Sequence, residues 1–67
     1  MTLPVEGDWI YFDDHPGVLY SVKARRGPCG DLKIRESDEP TLFRVGELRE
    51  NVDLSAAKFI GDVIESE

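Results

Sequence analysis

The chain has 67 residues, enough for one small core and no second one. One Cys and one His supply neither an internal disulfide nor the four ligands of a structural zinc site, so two usual reinforcements of a small domain are closed to it. A net charge of −6, from fourteen acids against eight bases, disfavours general affinity for nucleic acid, and no run approaches the roughly 20 apolar residues of a membrane span.

The N-terminus lacks the basic-then-apolar order of a secretory signal, and a lone Cys suits a reducing compartment, so a cytoplasmic location without membrane contact is expected. The acidity also suits a salt-adapted host. Apolar residues make up 40% of the chain and alternate regularly, which argues for a folded domain over residues 1–67.

Glycines and prolines cut the sequence at short intervals, a rhythm of short strands and tight turns. Trp9-Ile10-Tyr11-Phe12 predicts the first strand. Asp13 to Gly17 predicts a turn, and the second strand runs from Val18 to Ala24 with Val18, Tyr20, Val22 and Ala24 on one face. Arg25 to Asp31 reads as a hairpin loop. Leu32 to Arg35 or Glu36 follows as a third strand with Leu32 and Ile34 facing in. Thr41 to Arg44 is expected as a fourth short strand, Val45 to Leu48 as a single 3₁₀ turn, and Asn51-Val52 as the start of a fifth strand. For the tail, Asp53 as N-cap and apolar residues at helical spacing favour a helix over 54–65, with a strand from Lys58 to Ile64 as the rival.

This order, with Gly7-Asp8 opening an aromatic strand, a Pro-Gly turn, a Val-rich strand, a basic hairpin and a Val-Gly-Glu-Leu turn, resembles the SH3-like small β-barrels, including their KOW-type members. The likeness spans about residues 6–54 and is one of architecture. It implies a mainly β, five-stranded barrel with a C-terminal tail (55–67) forming a short helix or an extra strand. The proline-peptide signature of SH3 domains is missing, so no binding residues carry over.

No catalytic set is expected, and with it no cofactor and no metal. Asp13, Asp14 and His15 fall in one turn, where a carboxylate caps the backbone more readily than three neighbours converge on a ligand. Cys29 sits near Arg25 and Arg26, a setting that favours a thiolate, although a spare thiol is the commoner case. Gly27-Pro28-Cys29-Gly30 lacks the Lys-Ser or Lys-Thr of a phosphate loop.

Two surfaces carry the functional reading. If Ile10 and Phe12 enter the core, Trp9 and Tyr11 form an outward aromatic pair of the kind found at binding hot spots, unless the tail covers them. Residues 22–35 sum to +4 between acidic flanks, and Lys23, Arg25, Lys33 and Arg35, with Arg26 beside them, mark a basic hairpin. These cations either hold phosphates or an acidic partner, or answer carboxylates on neighbouring strands. The leading expectation is a non-enzymatic protein-interaction module or small subunit that docks on a protein, or on its own copy, through Trp9 and Tyr11. Nucleic-acid binding through Lys23, Arg25, Arg26, Lys33 and Arg35 is the alternative, and an acidic mimic of nucleic acid is a third.

Overall fold

A computed structural model describes residues 3–60 of the chain. Five strands, β1 (Trp9–Phe12), β2 (His15–Arg26), β3 (Cys29–Glu36), β4 (Leu48–Asp53) and β5 (Lys58–Phe59), form one antiparallel sheet in the order β4-β3-β2-β1-β5. The mainly β expectation holds. The five-stranded barrel does not close, because β4 and β5 remain the two edges of the sheet.

The two central hairpins follow from local chemistry, with tighter turns than the sequence suggests. Asp13-Asp14 alone turns the chain between β1 and β2, and Phe12 pairs directly with His15. Pro16 and Gly17, expected in that turn, lie inside β2, where the register against β1 is broken between Ile10 and Phe12. A proline has no N–H to give to a ladder, so such an irregularity is where a strand tolerates one. Between β2 and β3 only Gly27-Pro28 turns the chain. Gly27 has φ 61°, as the first central position of a II′ hairpin requires, and Pro28 supplies the negative φ that follows. Cys29 therefore begins β3 instead of lying in a loop.

Alternation builds the core. Ile10, Val18, Tyr20, Val22, Leu32, Ile34 and Leu54 are buried on the concave side, and Phe12, Phe43, Val52 and Phe59 pack partly against them. Phe12 meets Tyr20 edge to face, with ring centres 5.6 Å apart. At about 25 cal/mol per Å² of apolar surface, this cluster is the main term holding so small a domain together.

A bulge between Val22 and Ala24 breaks that alternation, because Val22 pairs with Leu32 while Ala24 already pairs with Asp31. Ala24 therefore leaves the face of Val22, and Arg25 pairs with Gly30 instead of continuing the outward row.

The later elements are redistributed. Thr41 to Arg44 is a turn, with the N–H groups of Leu42 and Phe43 both donating to the Glu39 carbonyl. The expected fourth strand is thus absent, since its backbone donors are spent locally. Val45-Gly46 is a turn with φ 94° at Gly46, in place of a 3₁₀ turn, and docks by Gly46 N–H to Ile34 O at 2.7 Å. The next strand is β4, which begins earlier than expected and carries Asn51 at φ 57° where its register against β3 shifts. In the tail the Asp53 carboxylate does accept the Ser55 N–H at 2.9 Å, but it starts a turn and not a helix. Lys58 and Phe59 then pair with Tyr11 and Ile10 as an extra strand. Phe59 thereby reaches the core beside Ile10, a contact that outweighs helical spacing. The remainder of the expected helix, 61–65, lies outside the described residues.

Candidate functional site

The convex face of the sheet carries the residues singled out for binding. Trp9 pairs with Ser21, Ser21 with Lys33, and Lys33 with Leu48, so four strands lay one row of side chains across this face. Strands are spaced by about 4.8 Å, which makes the row roughly 14 Å wide. Trp9 is 39% exposed at one end and Leu48 56% at the other. Val45, equally open, shares a shallow groove with Arg35.

Around Trp9 is a cleft of about 230 Å³ walled by Glu6, Trp9, Ser21, Lys23 and Arg35. The Arg35 guanidinium lies over the indole, 5.0 Å from its centre. This is cation–π geometry, in which the ring quadrupole attracts the charge. The Ser21 hydroxyl is buried in the same cleft without a hydrogen-bond partner among the described residues. A buried donor left unpaired costs on the order of 1–3 kcal/mol.

The five cations of the hairpin do not act together. Lys23, Lys33 and Arg35 make no ion pair among the described residues. Arg26 is held by Asp31 at 2.6 Å, and this hydrogen bond raises the guanidinium further and holds the Asp31 carboxyl below the usual carboxylate range. Arg25, displaced by the bulge, turns to the Pro4 carbonyl at 3.5 Å, so its expected place in the outward row is not realised. Tyr11 is half-buried beside its β5 neighbour Lys58 and contributes less open surface than Trp9.

A second cleft of about 350 Å³ opens on the concave side, walled by Phe12, His15, Tyr20, Arg49, Val52 and Asp53 among others. Three of its polar groups, His15, Arg49 and Asp53, have neighbours of their own. His15 stands 3.7 Å from Glu39 and tilts against Phe43, and Arg49 bonds both Glu47 and the Leu42 carbonyl. Burial pushes the Tyr20 phenol up, with Arg49 pulling the other way. Asp14 borders this cleft, whereas Asp13 pairs with Lys58 at 3.6 Å, so the Asp-Asp-His run is split between two places. No group of three His, Cys, Asp or Glu side chains among the described residues is arranged to hold a metal ion. Cys29 is half-buried and faces Arg26 across the hairpin.

Ser21 is the residue that sequence reasoning missed. Alternation puts it outward with Leu19 and Lys23, but only the Trp9-Ser21 register shows that the indole strand lies beside it. Comparison with protein-family models, curated proteins and solved structures finds no match to the chain. Among the described residues no helix is long and apolar enough to cross a membrane.

Proposed function

We propose that this chain is a non-enzymatic binding module that captures a negatively charged partner on the convex face of β1, β2 and β3, with Trp9 as its anchor. The observation that carries this reading is an open indole with Lys23 and Arg35 in its cleft and Lys33 across from Ser21, three cations that make no ion pair among the described residues. Aromatic and Arg anchors ringed by polar groups are what concentrate binding energy at interfaces. An acidic protein segment and a nucleic acid both meet this description.

Trp9 is the only tryptophan, so its fluorescence reports the site directly. Titration with poly-L-glutamate and with single-stranded oligonucleotide should change that fluorescence for at least one of them, less so as salt rises. The double variant K23E/K33E should lose the response while keeping the thermal melt of the parent. Silence of Trp9 toward both polymers at low salt removes the reading.

A further inference from the structure

Resting on that reading, we infer that the anionic partner is single-stranded nucleic acid, with a base stacked at Trp9 and Arg35 and its phosphates on Lys23 and Lys33. Cations alone do not choose between a carboxylate polymer and a phosphate polymer. The composition of the cleft does. Its walls offer a flat indole with a guanidinium laid over it. The guanidinium serves carboxylate and phosphate alike, but the indole is a stacking surface for a base that Asp and Glu side chains cannot use. An acidic peptide of amphipathic kind would instead need an apolar groove, yet beside Trp9 the cleft has one apolar side chain, Val22, among Glu6, Gly7, Ser21, Lys23 and Arg35.

Ser21 adds an independent sign. It is 6% exposed, its hydroxyl has no partner among the described residues, and it forms part of the cleft wall directly beside Trp9. The hydroxyl oxygen itself is closed to solvent, so a nucleotide meets it only when the side chain turns into the cleft, where it both donates and accepts. The same cleft also carries Glu6, whose carboxylate repels phosphate and accepts from a donor on a base edge, such as the N3–H of an unpaired thymine. A single strand is the form that fits, because bases in a duplex are already stacked on one another and leave no face free for Trp9.

Such binding is expected to be weak and salt-dependent. With three phosphates neutralised by Lys23, Lys33 and Arg35, log K against log salt should fall with a slope of about −2 for a single strand. The experiment is a fluorescence titration of the whole chain with an oligodeoxythymidylate of about twelve nucleotides, the same oligonucleotide as duplex, inorganic polyphosphate and poly-L-glutamate. The expected result is quenching by the single strand, a weaker response to the duplex and to polyphosphate, and little response to poly-L-glutamate. Trp9→Ala, followed by anisotropy of a labelled oligonucleotide, should lower affinity roughly 5- to 150-fold, as one base stack is worth. K33E alone should reduce the salt slope by about 0.7. Poly-L-glutamate binding tighter than the oligonucleotide overturns the inference and leaves the anion-binding module standing. Polyphosphate equal to the single strand, with Trp9→Ala unchanged, overturns base stacking. No response to any polymer overturns both. Melts of each variant separate loss of binding from loss of fold.

Discussion

Leu32 and Lys33 are neighbours in β3, yet they belong to two surfaces with opposite logic. On the concave side the buried apolar side chains of β1, β2 and β3 form one cluster, and in the nearby cleft His15 and Arg49 lie against Glu39, Glu47 and the Leu42 carbonyl. On the convex side, among the described residues, Arg35 meets only the Trp9 indole, Lys23 and Lys33 have no ion pair and the Ser21 hydroxyl has no hydrogen bond. Of these groups only the buried Ser21 hydroxyl carries a desolvation cost, since the surface cations remain hydrated.

The largest expected effect lies on the concave side. Leu32→Ala empties a fully buried position and should cost about 2–5 kcal/mol, comparable with the whole stability of such a domain, so its circular dichroism at room temperature should show an unfolded or half-unfolded chain. Lys33→Ala, one residue on, should stay within about 0.5 kcal/mol of the parent in a urea melt. A large loss at Lys33 would break the contrast between the faces.

Next comes Gly30, which lets the hairpin pack against the segment after β4. A Cβ there would lie 2.7 Å from the Ala24 carbonyl oxygen and 3.1 Å from Leu54 Cδ1. The backbone oxygen cannot step aside, so Gly30→Ala should cost about 1–3 kcal/mol by overpacking, read as a lower urea midpoint. Tolerance of alanine would show that the sheet is looser at this end than its contacts imply.

Smaller effects come from titration. Burial raises the Tyr20 phenol, so the folded state favours its neutral form. That stability is complete below the ordinary value of 10.0 and is lost as pH rises through the folded value. Tyr20→Phe should therefore flatten the alkaline limb of the melting-temperature profile. Asp31 behaves with the opposite sign, because the hydrogen bond from Arg26 lowers it. Its contribution is present above the ordinary value of 3.8 and disappears as pH falls through the folded value, so Asp31→Asn should blunt the acid limb slightly. Arg26 is exposed and Asp31 only partly buried, so solvent screens the pair and makes it the weakest of these effects. It also sharpens the comparison, since releasing Arg26 adds a fourth unpaired cation to the convex face and should tighten polyanion binding modestly at low salt.

Alternation by itself determined that Val18, Tyr20, Val22, Leu32 and Ile34 share the core side, with Lys23, Lys33 and Arg35 on the other. In the first strand it separated Ile10 and Phe12 from Trp9 and Tyr11 without saying which pair is buried, and the tertiary structure chose Ile10. What only the tertiary structure decided is where that period slips and what lies beside what. The bulge after Val22 removed Arg25 from the basic row, and no local signal in Lys23-Ala24-Arg25 marks it, since the extra residue is fixed by pairing with a strand eight or nine positions away. The later segments were misread for a related reason. Thr41 to Arg44 has strand-like residues but spends its donors on Glu39, and the tail gains more from Phe59 against the core than from a helix. The meeting of Trp9 with Ser21 likewise depends on the register of two strands, a long-range choice that no window of sequence contains.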